Sequence, residues 1–573
     1  MSLHPQTDYP IPEETQRVAR AAFPKGNLCL HLADVLGPLY QDQQFTALFH
    51  QRGQPGLSPA RLALVLILQF VEGLPDRQAA EAVRSRIDWK YALGLELTHP
   101  GFDFSVLSEF RSRLVAGQAA QLLFETLLTR LQEIGVLKKR GRQRTDSTHV
   151  LAVVRTLNRL ERVGETLRSA LNVLAVVAPE WLQALAPAEW YARYGERVEN
   201  FDLPRAEKAR QELAATIAAD GQKLLTTIDA APERNWLREV PAVKILRRVW
   251  AEQYVEQDGV LVWRAVPEMP PSATLITSPY DADARYSTKS GTEWVGYKVH
   301  LTETCDEQLP HLIVHVETTP ATTSDDNMAE IIHQSLAQKD LLPAEHLVDK
   351  GYTDAEALLD SRQRYGIELL GPVADDPSWQ ARAGTGFDRS SFIVDWAQQK
   401  VTCPAGKHSR SWLPNVDPTK EGALVVRFSR RDCSPCPFRS QCTKRKEDPR
   451  ELLLPDRERH EALQNRRQEQ ATEEFRARYA ARAGIEATHE QALRVAAVSL
   501  HWVSQDPLTT YVDGHRHQLT APRGLVAQPV AGENAEVPLC PVAAAGRVAG
   551  RQVPTNSPTV SILVNHRGRF HQL

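Results

Sequence analysis

The chain has 573 residues, 42% hydrophobic and 24% charged, long enough for several domains and composed like an ordinary globular protein. Its longest apolar run, Leu62 to Phe70, is broken by Gln69 and falls short of the ~20 residues that a bilayer span needs. The start "MSLHPQTDYPIPEETQRVAR" lacks the apolar stretch of a secretion signal, so a cytoplasmic protein is expected.

The net charge of −3 does not announce a nucleic-acid partner, and seven cysteines are too few to staple a chain of this length. Basic residues are nevertheless bunched in "LKKRGRQR", "CTKRKEDPR" and "NRRQEQATEEFRARYAARAG". Such runs suit either phosphate contacts or solvated helix faces.

Residues 1–135 read as helical. "GLSPARLALVLILQFVEG" opens with Ser58 as N-cap and Pro59 at the first helical position, and closes at Gly73. "LPDRQAAEAVRSRIDWKYALGL" adds short helices with Arg84, Arg86 and Lys90 expected on the surface. The spacing allows a helix-turn-helix-like DNA reader, and serves plain helix packing equally well. The β-branched, partly alternating stretch Thr145 to Val154 predicts a strand within a first segment, 136–160. From Leu157 the apolar positions Leu160, Val163, Leu167, Leu171 and Leu174 predict a helix, the first of a helical insertion over 161–275 whose Trp residues suit core positions.

The pattern turns to strands over 276–375. "TEWVGYKVHLTET" and "HLIVHVETTPAT" predict a hairpin across "CDEQLP". "DDNMAEIIHQSLAQK" is helical, and "AEHLVDKGYTDAEALLDSRQRYGIELLGPV" reads strand, helix, strand, with Thr353 as helix cap. In a segment with little regular structure, 395–447, Cys403 precedes the knuckle Cys433-x2-Cys436 and Cys442. Four thiols so spaced suit a tetrahedral Zn²⁺, or are simply reduced cysteines in a loop. A closing helix over 450–494 follows.

Three acids stand apart from the other charged residues by position. Asp146 lies in an apolar strand, where a lone carboxylate costs several kcal/mol unless paired or metal-bound. Asp349 ends a strand, where α/β sheets place their sites. Glu486 is expected mid-helix, with Arg482 one turn earlier on the same face, placed to orient the carboxylate or contact a phosphate. Carboxylates converging from separate elements suit Mg²⁺, and two such ions assist in-line displacement at phosphorus.

The segments "TDSTHVLAVVRTLNRLERVGETLR", "WVGYKVHLTET", "HVETTPATTSDD", "VDKGYTDAE" and "YAARAGIEATHEQALR" resemble bacterial insertion-sequence transposases of the DDE class. The closest likeness is to the group with a Tyr-Arg-Glu third box and a preceding Cys-rich segment. The resemblance implies an α/β, ribonuclease-H-like mixed sheet flanked by helices, behind an all-helical N-terminal domain that binds DNA ends. It implies Asp146, Asp349 and Glu486 as ligands of Mg²⁺ (or Mn²⁺), with Tyr479 and Arg482 in the third box. It also implies terminal inverted repeats and target DNA as partners, a homodimer on DNA and a nucleoid-associated location. The basic residue that the wider superfamily places seven positions after the Glu is here Leu493, with Arg494 adjacent.

After Arg494 the pattern fails, where such a transposase continues with a basic helical tail. With permitted codons and a one-nucleotide shift, Leu500 onward reads "YIGLAKTHLQHMLTATAINLQRLVVWL", an amphipathic helical string resembling that tail. Residues 495–573 are therefore expected to be out of frame and poorly ordered, with activity impaired. A metal-dependent nuclease, or a DNA-binding remnant that occupies transposon ends without cutting, are the rival readings.

Overall fold

A computed structural model describes residues 1–496 apart from 118, 153, 155, 200–201, 290, 385–386 and 418–421. The side chains of 493–496, and so the role of Leu493 and Arg494, lie outside the described residues, as does the tail from 497 onward. No described helix is long and apolar enough to cross a membrane.

The centre is a six-stranded mixed sheet: β1 (Arg142–Leu151), β2 (Arg285–Lys289), β3 (Thr292–Thr304), β4 (Ile313–Pro320), β5 (Glu345–Val348) and β6 (Glu368–Leu370). At 13 residues β3 is long enough to pair antiparallel with β2 through its first part and with β1 and β4 through the rest. β5 runs parallel to β1, and β6 parallel to β5. Parallel neighbours need a crossover. The helix Ala355–Tyr365 supplies the one between β5 and β6. Its cap is Asp354, whose carboxylate accepts from the Ala357 N–H at 2.7 Å, and not Thr353. Thr353 instead turns its hydroxyl back to the Asp349 carbonyl.

The helix Pro59–Glu72 has the Ser58 cap, Pro59 start and left-handed Gly73 that its sequence announces. Lys90 departs from expectation. It is buried and donates to the Leu97 and His99 carbonyls, because the chain after the helix Ile87–Ala92 folds back over it. Arg86 is half-buried between Glu72 and Asp88, which leaves Arg84 as the exposed base of the three. The N-terminal helices share one core with the sheet: Leu107, Phe110, Leu128 and Leu131 join Leu312, Val314, Ile332, Leu336 and Val348. Residue 135 is thus a boundary of sequence pattern but not of packing.

Between β1 and β2 the insertion builds its own core around the helices Arg159–Val177, Glu207–Asp229 and Pro241–Gln253, and Trp190 and Trp250 are buried in it. It is not helical to 275. Tyr254–Gln257 and Val260–Trp263 form a hairpin around Asp258 and Gly259, both at positive φ (51° and 78°). An Asp-Gly pair favours that tight turn, and Tyr254 facing Trp263 fixes the register. The Cys-rich segment also holds more regular structure than expected. Ser409–Pro414, Leu424–Phe428 and Glu451–Leu454 form a three-stranded sheet over a small core of Phe392, Val401, Val426 and Phe428.

Candidate active site

Side chains two apart along a strand share a face, so Arg142, Arg144 and Asp146 project together from β1. The segment 478–488 packs on that face, and each of the three holds it. Arg142 bonds Glu345 at 2.6 Å and donates to the Arg478 carbonyl at 3.2 Å. Arg144 is 3% exposed, pairs with Glu303 (1%) through Nε at 2.6 Å, and donates to the Ala481 carbonyl. The second oxygen of Glu303 accepts from the Thr488 hydroxyl at 2.7 Å. Burial pushes the Glu303 carboxyl up, and Arg144 and Thr488 oppose that shift. A buried ion pair from β1 and β3 therefore grips the closing segment on both sides of Glu486.

That grip changes the local geometry. The chain from Tyr479 to Glu486 is not one helix: Glu473–Tyr479 ends, Ala480–Gly484 is a 3-10 turn, and Glu486 is the second residue of Ile485–Ala496 rather than its middle. Gly484 makes room for Arg144, since a Cβ there would lie 2.3 Å from a guanidinium nitrogen of Arg144. Only glycine admits the arginine so close.

Arg482 Nη1 donates to Asp146 Oδ2 at 2.8 Å, and its Nη2 lies 3.5 Å from Glu486 Oε1. Asp146 is thereby paired, as a carboxylate in a strand must be, whereas Glu486 is 69% exposed. Asp349 follows β5, and its carboxylate accepts from the Gly351 N–H at 2.9 Å. The Tyr479 ring stacks on Phe475, with the Arg482 guanidinium 5.9 Å from its centroid. Burial raises the Tyr479 phenol, Arg482 opposes this, and the charges of Asp349 and Asp146 add to it. The structure joins Asp146 and Glu486 through Arg482, with the Tyr479 ring beside the guanidinium, while Asp349 acts on Arg482 and Tyr479 through its charge. The guanidinium joins the carboxylates there; among the described residues no group of three or more His, Cys, Asp or Glu side chains is arranged to hold a metal ion.

Residues 17–113 match a transposase domain (DUF772), and residues 402–499 match a transposase DDE domain that spans Tyr479, Arg482 and Glu486. Both matches support an insertion-sequence DDE transposase. No curated protein and no solved structure matches it. In the transposase the four cysteines also come together, with Cys403, Cys433, Cys436 and Cys442 lining one cavity beside Phe428 and Arg450. Burial pushes the Cys442 thiol up, Arg450 opposes the shift, and the other three thiols add to it. The Lys407 N–H donates to the Cys403 sulfur at 3.3 Å, so Cys403 presents its thiol in a tight turn of its own.

Sequence reasoning missed four residues around the candidate site. Arg144 and Glu303 carry a signal only in retrospect, two residues before Asp146 and in the paired strand. His489 is 6% exposed, and its ring lies against the backbone of Asp146. Burial lowers its pKa, and the charge of Asp146 works against that. It stands three residues beyond Glu486, the spacing that puts both on one helix face. The fourth, Asp325, lies in the box "TTSDD".

Proposed function

We propose that this transposase cleaves DNA at the ends of its element and joins the freed strand to target DNA. Asp146, Asp349 and Glu486 serve as ligands of divalent metal ions, Mg²⁺ or Mn²⁺, in a ribonuclease-H-like catalytic domain. The sheet order β4-β3-β1-β5-β6, antiparallel on one side of β1 and parallel on the other, supports that domain type. The observation that carries the reading is the Arg482 bridge. It already holds a positive charge between carboxylates brought from β1 and from the closing helix, with Asp349 in electrostatic reach.

The donor set suits hard cations in its chemistry: all-oxygen, anionic and drawn from three elements. Bound there, such ions supply Lewis-acid activation of an attacking oxygen and neutralisation of the leaving one. The protein's own groups hold and orient. Arg144 and Glu303 fix the closing segment, Arg482 sets the direction of the Asp146 carboxylate, and Tyr479 presents a ring beside the guanidinium. Water attacks phosphorus at the element end and the 3′ oxygen leaves as a hydroxyl. That hydroxyl then attacks a target phosphodiester, forming one bond as another breaks, with no covalent link to protein. The N-terminal helices and the basic segments bind the DNA ends, and a second protomer completes the complex. The four cysteines hold a structural Zn²⁺, a fit supported by thiolate chemistry and their shared cavity.

The change of sequence character after Arg494 supports loss of reading frame there, and the DDE match ends at residue 499. Glu486 is present, but the sequence after Arg494 does not resemble the basic helical tail of such transposases, so this chain is expected to cut weakly. The test is nicking and strand transfer on an end-containing duplex with Mg²⁺, for this chain beside one with its tail restored in frame. Activity in the restored chain, abolished by Asp146→Ala, is the expected result. Hydrolysis without strand transfer would leave a nuclease. End binding without nicking in both chains would leave only a DNA-binding remnant.

A further inference from the structure

Asp146 and Asp349 arise on neighbouring parallel strands, and something must set the distance between them. One carboxylate touches the residues beside both. Asp325 precedes the helix Met328–Gln338, and its Oδ2 lies 3.4 Å from the hydroxyl of Ser147, the residue after Asp146. Its side chain also packs against Gly351, two residues after Asp349, where a Cβ would lie 3.3 Å from the Cβ of Asp325. The other oxygen, Oδ1, accepts from Lys298 Nζ at 3.1 Å, and the same ammonium donates to the Thr323 carbonyl at 2.7 Å.

Both charges are largely withdrawn from water, with side chains 13% and 15% exposed. Lys298 projects from β3 opposite His149 of β1, on the face that carries Ser147 and His300. Tyr352 closes the group, with its hydroxyl 2.6 Å from His300 Nδ1. Burial raises that phenol, and among the nearby charges that add to this Asp325 leads, followed by Asp146 and Asp349. β1, β3, the loop before the helix and the turn after β5 therefore meet at one ion pair. It lies on the sheet face away from Arg482 and directly behind the candidate ligands.

We propose that Asp325, held by Lys298, is a positioning residue that sets the spacing of Asp146 and Asp349. This rests on the metal-ligand reading of those two aspartates. Asp325 does not itself bind the ions, because its oxygens are engaged by Lys298 and Ser147. It fixes the strand ends from behind, and loss of its charge frees Lys298 to draw on the neighbouring carboxylates.

The experiment is Mn²⁺ binding to the full chain by calorimetry, with thermal unfolding of each variant in parallel. Asp325→Asn is expected to weaken Mn²⁺ binding about 10-fold while the chain stays folded, the scale typical of partners that orient metal ligands. Asp325→Glu is expected to recover part of it. Asp146→Asn is expected to abolish binding. If Asp325→Asn does not fold, Ser147→Ala carries the test, since it cuts the tie to β1 without uncovering a charge, and a weakening in the same direction is expected. A folded Asp325→Asn, or Ser147→Ala in its place, that binds Mn²⁺ as the unaltered chain does would overturn the proposal. Loss of all binding in Asp325→Asn would make Asp325 a ligand and overturn it equally. An Asp146→Asn chain that still binds normally would instead bring down the ligand reading, and the positioning role with it.

Discussion

Arg482 and Asp146 stand 336 residues apart in the chain and 2.8 Å apart in space, joined by a hydrogen-bonded ion pair. Both side chains are mostly buried, at 18% and 16% exposed, so the pair is shielded from the screening that weakens surface ion pairs. Replacing Arg482 with Ala frees Asp146 and cuts the link to Glu486. End nicking is expected to fall about 100-fold, as for a misplacement on the order of 1 Å, and the melting temperature to fall as well, because the mostly buried Asp146 loses its partner. A rate within a few-fold of the unaltered chain would remove Arg482 from the machinery.

The Arg144–Glu303 pair makes a separate prediction about stability. Arg144→Met leaves a carboxylate buried without its partner and is expected to cost about 3–5 kcal/mol in urea unfolding. Arg144→Met with Glu303→Leu is expected to recover most of that, because no charge is left stranded. Nicking should stay low in the double variant, since the Ala481 and Thr488 tethers are gone. Recovery of both properties together would mean that the clamp does not position the segment.

Beneath the sheet, Thr145 contacts His346 Nε2 at 2.7 Å and His346 Nδ1 stands 2.7 Å from His333 Nε2. Burial lowers His333 to about 4 and His346 well below its ordinary value; burial also brings His300 to about 4. These rings are neutral in the fold, while the unfolded chain protonates them near 6.5. Their contribution is therefore complete above pH 6.5 and is lost as the pH falls from there toward about 4. A loss of about 3 kcal/mol is expected for His333 and for His300, whose values lie near 4. Melting temperature measured against pH should fall across that window, and His333→Gln should flatten the profile.

For the cysteines, purified protein is expected to carry about one Zn²⁺ per chain by metal analysis. Cys436→Ser should lose it, and a chelator should lower the melting temperature of the unaltered chain but not of the variant. Metal-free protein of unchanged stability would identify the four thiols as packing residues around Phe428.

Several features of this protein were determined by short-range sequence alone. Ser58, Pro59 and Gly73 bound their helix because capping and chain stiffness act within a few residues. The two runs ending and beginning around "CDEQLP" pair as β3 and β4 because alternation and β-branching are local. Asp349 at the C-terminal end of β5 was likewise readable from element order, whereas the box from Tyr479 to Glu486 came from the family resemblance. The Asp-Gly hairpin at 258–259 was readable too, and was passed over for the helical pattern around it.

What tertiary structure alone decided was which charges face each other. That Lys90 is covered, that Arg144 forces a glycine into the closing segment, and that Asp325 backs both aspartates depend on partners tens to hundreds of residues away. Sequence shows that a charge is present. Its partner is selected by strand register and by the layer packed above, because a buried charge is tolerable only where the fold delivers its opposite.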